Sequence, residues 1–477
     1  MRLFRGDDTS TWEERYGDKS AGAVTIAANT TYPGARSGLD GNHTSGSFTV
    51  KLKSASTFAN GMCVQITRER GTGIGDSVTK EFNVIVSGGG TTTLTMKYPL
   101  DIDYYDNAGG NDRAQIVEMK QYSSLTINAG VTFSAPDWDG TSGGRIPFFV
   151  NGTLTFAGDL SVDGKGFRGH AAGVADPGDT GEGTAGNNIA NQYTPNGNGG
   201  GGGWGGTGSG GSGGGGGGFR SAGSNGTQRG SVPPGQGGNQ VGNADLSSHP
   251  MGGAGGSGGG TVSSVGGGSG DGAGGITIRA KTITQSGTGK IKANGATGTC
   301  GIDGGTGCGG SGSGGGIDIG CQTGTFGVEK VESFGAPGVT GTGVSGGTGS
   351  LGINSLRYSG SYTGEAIPTF NVYYDEYLSD TYACDAIFSK SFGKFQRSIA
   401  KKKLMKRSYA RQSSSVHSAV ASSQLQFVYN IYQYQSSLLQ FLYNLVRVDA
   451  RQTYVPEVVQ PGTWTAPEAT DPSERNE

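Results

Sequence analysis

Between residues 21 and 100 the chain alternates apolar and polar positions in short runs, at 23–26, 47–52, 62–67, 82–86 and 91–96. Phe48, Val50 and Leu52 show the two-residue period of a half-buried strand, and Gly, Asp and Asn fill the gaps between runs. This predicts a small all-β module over residues 21–120, preceded by a polar arm at 1–20. From Tyr122 the runs shorten: Leu125 and Ile127, Val131 and Phe133, Leu154 and Phe156, Leu160 and Val162, separated by Asn-Gly, Ala-Gly and Asp-Gly turns. Strands this brief bury two or three side chains each and depend on neighbours for the rest, as in a solenoid of stacked rungs.

An internal echo points the same way. GGRIPFFVNGTLTFAGDLSVDGKGFRG at 143–169, GGITIRAKTITQSGTGKIKANGATG at 274–298 and, more loosely, GGIDIGCQTGTFGVEKVESFGAPG at 315–338 share a Gly-Gly start, a central glycine and a terminal strand. Between the echoes lie glycine tracts. Of the 22 residues from Gly197 to Gly218, 17 are glycine, and Gly/Ser runs also fill 252–275 and 298–316. Two readings stand for these tracts: flexible linkers, or extended polyglycine helices packed side by side, where missing side chains let backbones exchange hydrogen bonds. The fold expected is mainly β: the N-terminal module, an irregular right-handed β-helix or solenoid with packed polyglycine tracts over 121–350, an aromatic-rich connector over 351–393, and a C-terminal α-helical segment.

That last element rests on a change of pattern. No glycine or proline occurs from Lys394 to Val455, which permits a helix over 394–450. A basic block leads it, and Val428, Ile431, Gln435, Leu438, Leu442 and Leu445 follow the three-four spacing of a coiled-coil seam. The broad apolar face suits a homo-oligomer, preferably a trimer, or docking onto other proteins. Residues 451–477 read as a disordered acidic, proline-containing tail. Glutamines interrupt the helical segment, so no membrane span is read, and the basic block reads as solvated helix surface rather than a nucleic-acid site.

Composition narrows the chemistry. The 477 residues are 32% hydrophobic and 16% charged, with 97 glycines and a net charge of −2, so a single large apolar core and charge-driven disorder are both disfavoured. The five cysteines make no disulfide framework and are expected as buried or surface thiols, and the four histidines fall into no metal or catalytic grouping, so no metal or cofactor is expected. No apolar h-region follows Met1, and no signal peptide is read. Paired carboxylates for glycan cleavage among Asp137, Asp139, Asp159 and Asp163 are the one enzymatic option, weighed against their ordinary service in turns. The chain is otherwise expected not to be an enzyme. Trp138, with Phe149 and Phe167, offers rings that would stack on sugars, against core packing as the default for the phenylalanines.

QYSSLTINAGVTFSAPDWDGTSGG running into VNGTLTFAGDLSVDGKGFRG, with the 274–298 unit, resembles glycine-rich β-solenoid proteins of phage tails and bacterial surfaces. The glycine tracts are similar to those of T-even phage tail-fibre tip adhesins. The resemblance covers roughly residues 60–340 and implies a virion-tail or cell-exterior protein, often homotrimeric, that binds a host glycan or surface protein. It directs attention to loops between tracts, hence to Phe219, Arg220 and Asn225, with Trp204 inside the longest tract. The leading expectation is a structural and adhesive component of a phage tail or fibre. The alternatives are a bacterial extracellular adhesin or matrix protein and a β-helical glycan depolymerase.

Overall fold

The computed structural model describes residues 16–374, apart from 56, 72–78, 108–110, 171–177, 188, 206–209, 262 and 343. Every element of regular structure there is a β-strand. The expected coiled coil is therefore corrected: no helix stands among the elements of the described residues, and its seam positions Val428, Ile431, Gln435, Leu438, Leu442 and Leu445 lie outside them, as do the helical segment and the tail.

Two parallel sheets run side by side through the chain. The opening pair is β1 (Gly22–Ile26) and β2 (Thr30–Thr31). Into the connection that follows is inserted an antiparallel module of β3 (Arg36–Gly38), β4 (Thr49–Lys51), β5 (Cys63–Arg70), β6 (Lys80–Ser87), β7 (Thr93–Met96) and β8 (Arg113–Glu118). The stack then resumes with β9 (Lys120–Ile127), β10 (Thr132–Ser134), β11 (Arg145–Phe156) and β12 (Asp159–Ser161). It continues through β13 (Gly275–Gln285), β14 (Ile291–Lys292), β15 (Gly316–Thr325) and β16 (Val331–Glu332), and ends with β17 (Ile353–Thr363), β18 (Ala366–Ile367) and β19 (Asn371–Tyr374).

The long strands join in the order β1-β9-β11-β13-β15-β17-β19, and the short ones in the order β18-β16-β14-β12-β10-β2. The three sequence echoes are three successive rungs, β11 with β12, β13 with β14, and β15 with β16. The first strand pair belongs to the stack, so the antiparallel module begins later than the sequence pattern placed it. It has its own core, which includes Leu39, Val50, Leu52, Val64, Ile66, Ile85, Leu94 and Ile116.

Register explains why these sequences stack. Phe148 lies beside Ile278, Ile278 beside Ile319 and Ile319 beside Leu356, all fully buried. On the short strands Phe133, Leu160, Ile291, Val331 and Ala366 form a second buried ladder. A parallel strand covered on both faces reads as a continuous run rather than an alternation, and every residue from Arg145 to Val150 is buried. The face opposite the ladder carries Arg145, Phe149, Thr277, Arg279 and Asp318, which meet the antiparallel module.

The glycine-rich residues leave the stack between β12 and β13, between β14 and β15 and between β16 and β17, and hydrogen-bond to one another. N–H groups of Gly211, Gly214 and Gly217 donate to carbonyls of Gly305, Cys308 and Ser311. Those of Ser212, Gly215 and Gly218 donate to Trp204, Gly201 and Asn198, and those of Gly213 and Gly216 to Thr227 and Ser224. The carbonyls accept with the same three-residue repeat: Ser212, Gly215 and Gly218 from Gly259, Gly256 and Gly253, Gly213 and Gly216 from Gly235 and Gly238, and Gly214 and Gly217 from Gly347 and Ser350. Every N–H from Gly211 to Gly218 and every C=O from Ser212 to Gly218 is thus satisfied by six neighbouring segments, which answers the accounting a buried backbone demands.

Candidate binding surface

The glycine layer leaves few side chains large enough to meet a partner, so those at its surface stand out. Trp204 interrupts the tract that runs from Gly199 to Gly203. Its N–H donates to Pro233 O at 3.2 Å and its carbonyl accepts from Ser212 N at 2.9 Å. Tyr193 enters from the preceding turn, and its carbonyl accepts from Gln236 N at 2.8 Å. The two rings meet edge to face with centroids 6.0 Å apart and planes at 68°. Each residue is 38% exposed.

Of the other residues singled out by sequence, Arg220 and Asn225 are exposed. The Arg220 N–H donates to Leu351 O at 3.1 Å, and Asn225 Oδ1 accepts from Gly237 N at 2.8 Å, so that amide group also holds its own loop. Phe219 and Trp138 are corrected as ligand-stacking residues because both are buried. Phe219 packs with Val241, Leu246 and Ile353, and Trp138 with Phe167, Met251 and Ala254, while Trp138 Nε1 donates to Glu182 Oε1 at 3.1 Å. Tyr193 and Pro233 were missed by sequence reasoning, because only the folded glycine layer brings them beside Trp204.

The aspartates considered for catalysis serve the scaffold. Asp139 Oδ1 accepts from the Thr141 and Ser142 amides, closing a turn. Asp137 pairs with Lys165 at 2.6 Å. Asp159 and Asp163 both face Lys292 of the next rung, at 2.8 and 3.6 Å, and accept the amides of Lys290 and Asn294. Burial pushes the Asp163 carboxyl above its ordinary value. The cysteine expectation is also corrected: Cys300 and Cys308 form a disulfide that closes the loop carrying Ile302, which is 93% exposed. Cys321 remains a buried thiol, and burial pushes it up to about 12.

A second feature, buried except for part of Arg357, fixes the module against the stack. Lys80 Nζ of β6 lies 2.6 Å from Asp318 Oδ2 of β15, and Arg279 Nη2 of β13 lies 2.9 Å from the same oxygen. Arg357 Nε of β17 stands 3.8 Å from Asp318 Oδ1. Burial opposes ionisation of Asp318, but Arg279, Lys80 and Arg357 outweigh it and hold the carboxyl well below the usual range. Burial pushes the Lys80 ammonium down to about 7 against the pull of Asp318, with Arg279 adding to the push. The surplus cation is the one that yields.

His249 sits 3.0 Å from Lys80 Nζ through Nδ1 and 3.0 Å from Gly316 O through Nε2. A carbonyl can only accept, so the ring proton facing Gly316 sits on Nε2, and Nδ1 is left to accept from Lys80 Nζ. Burial and then the charges of Lys80 and Arg145 hold it well below its ordinary pKa. Beside it, Arg145 grips Glu69 through Nε at 3.0 Å and Nη2 at 2.6 Å, tying β11 to β5.

No protein-family model and no curated protein matches the sequence. Among solved structures the chain is similar to the tailspike protein gp49 from Pseudomonas phage LKA1, at 16% identity over 30% of this chain and 23% of that one, with a TM-score of 0.15. It is also similar to the Pseudomonas phage phi297 tailspike gp61, at 12% identity over 72% of this chain and 51% of that one, with a TM-score of 0.16. The resemblance to tailspike proteins is weak and partial, and at these scores it carries nothing about what this chain does.

Proposed function

We propose that this chain is a structural and adhesive component of a phage tail or fibre that supports attachment to a host surface. In this reading the parallel sheets are a right-handed β-solenoid, and the glycine segments are polyglycine helices packed side by side on it. The observation that carries the proposal is the bonding of every N–H of Gly211–Gly218 and every C=O of Ser212–Gly218 to six neighbours. The three-residue repeat is that of an extended helix with no internal bonds, and a run of seven glycines and one serine supplies almost no side chain that could act in catalysis. What it offers is a stiff base for the turns at its rim.

Two further observations agree. The Cys300–Cys308 disulfide suits a protein that works in an oxidising exterior. The four aspartates weighed for glycan cleavage are engaged in turns and rung-to-rung contacts, which favours a non-enzymatic role. Assembly as a homotrimer belongs to the same reading and is read by native mass of the full chain.

Immunogold labelling with antibody to the full chain, on virions and on producing cells, tests the proposal. Label on tails, together with chain-dependent adhesion of virions to host cells, is the expected result. Label confined to cell envelopes would move the protein to the alternative, a bacterial extracellular adhesin.

A further inference from the structure

We infer that the Tyr193–Trp204 ring pair is a saccharide-stacking subsite that takes an uncharged pyranose unit of a surface polysaccharide. The inference deepens the adhesive reading and rests on it. Four observations point to this chemistry. Both rings are exposed in part, 38% each, and they are set at 68° to one another, so they form a corner with two aromatic faces of different orientation. Aromatic side chains pair an apolar face with a polar tip and lose few rotamers on binding, which suits ligands that are apolar on one face and wet at the edge.

The rings are also pre-positioned. The Tyr193 carbonyl is bonded to Gln236 N, the Trp204 carbonyl to Ser212 N, and Gly202 N donates to Gln192 O. A Cβ at Gly201 would stand 1.9 Å from Tyr193 O, so only a glycine floor lets the Tyr193 segment lie this close. Backbones anchored in this way lower the ordering cost of binding. The rim supplies amide groups, with Gln236 exposed beside Tyr193 and Gln192 preceding it in the chain, while Pro233 backs Trp204. These flanking residues carry no formal charge, which selects a neutral sugar over an anionic one. Asp179, which accepts the Asn191 amide, is itself paired with His170 at 3.1 Å.

The test uses the full chain on an array of bacterial surface polysaccharides and neutral oligosaccharides, with Trp204→Ala, Trp204→Phe and Tyr193→Ala compared with the parent. Thermal unfolding serves as the folding control. At least one neutral glycan should be retained, with affinity falling roughly tenfold or more in Trp204→Ala and Tyr193→Ala, as truncation of an aromatic anchor does. Trp204→Phe should keep much of the affinity. Retained glycan binding that both alanine variants leave within twofold would overturn the site while sparing the adhesive reading. Trp204-dependent binding to whole cells, with no binding to any glycan, would overturn the saccharide class in favour of a protein receptor. No binding to cells or glycans would overturn the adhesive reading itself.

Discussion

Replacing Gly215 by alanine sets two opposed effects against each other. Alanine gives up less conformational freedom on ordering, a gain of about 0.4–1 kcal/mol where the native backbone accepts it. At Gly215, however, an added Cβ would stand 1.9 Å from Gln236 O, 2.4 Å from Gln236 C and 2.9 Å from Gly237 N, all backbone atoms without a rotamer to change. Relief requires residues 235–238 to move away, which strains the bonds from Gly235 N to Gly213 O and from Gly238 N to Gly216 O. Overpacking costs about 1–3 kcal/mol, and each bond lost about 0.5–1.5 kcal/mol. The clash therefore wins, and a net loss of about 2–5 kcal/mol is expected. Gly305→Ala, where nothing lies within 4 Å, is the control. Hydrogen exchange read by mass spectrometry on the full chain reports the difference. Peptides covering 211–218 and 235–238 should lose protection in Gly215→Ala and keep it in Gly305→Ala. Equal protection in the parent and Gly215→Ala would refute the six-neighbour packing.

Four further outcomes follow from the buried groups and the disulfide. Asp318→Asn should cost about 3–5 kcal/mol in urea unfolding, because Lys80, Arg279 and Arg357 lose their shared counter-charge in a dry site; Lys80→Met should cost less, since the carboxylate keeps two guanidinium partners. Folded Lys80 is protonated only below about 7 and the unfolded lysine below 10.5, so the unfolded chain holds more protons in between and this group makes stability rise with pH over that window; Lys80→Met should flatten the rise. Glu81 acts in the opposite sense at lower pH, for burial pushes it up to about 7 from 4.5, and stability should fall as pH rises between those values. Cys300→Ser opens a loop of sequence separation 8, and loop-closure entropy puts the loss at about 2.5 kcal/mol; unchanged unfolding after the substitution, with peptide mapping confirming the parent bond, would contradict that figure.

The stack was legible where local pattern suffices. Phe148, Ile278 and Ile319 fall at the sixth, fifth and fifth positions of the three echoes and pair in register, and the third echo, the loosest by eye, is a rung because it keeps Ile317, Ile319 and Val331 buried. What pattern alone does not deliver is pairing across distance. Lys80 and Asp318 are 238 residues apart, and nothing in KEFNV or GIDIG announces that the two will share a buried oxygen. The same holds for Tyr193, an unremarkable tyrosine in a polar turn until the layer sets it against Trp204. Trp138 misled for a related reason: an Asp-rich turn looks exposed, yet the turn folds inward and Glu182 receives the indole N–H. Regular rungs are dictated by side chains a few residues apart, whereas the glycine layer has no side chains to encode its neighbours.

The neighbours in that layer must therefore be chosen elsewhere, and the rungs make the choice. The three glycine-rich excursions, from Ser161 to Gly275, from Lys292 to Gly316 and from Glu332 to Ile353, each leave from and return to strands whose register is set by the Phe148 and Phe133 ladders, so the ladders fix the ends of each excursion. The prediction for Gly215 depends on this order of command. With the ladders intact the layer cannot shift register to accommodate a methyl group, and the cost stays local to residues 211–218 and the segments bonded to them.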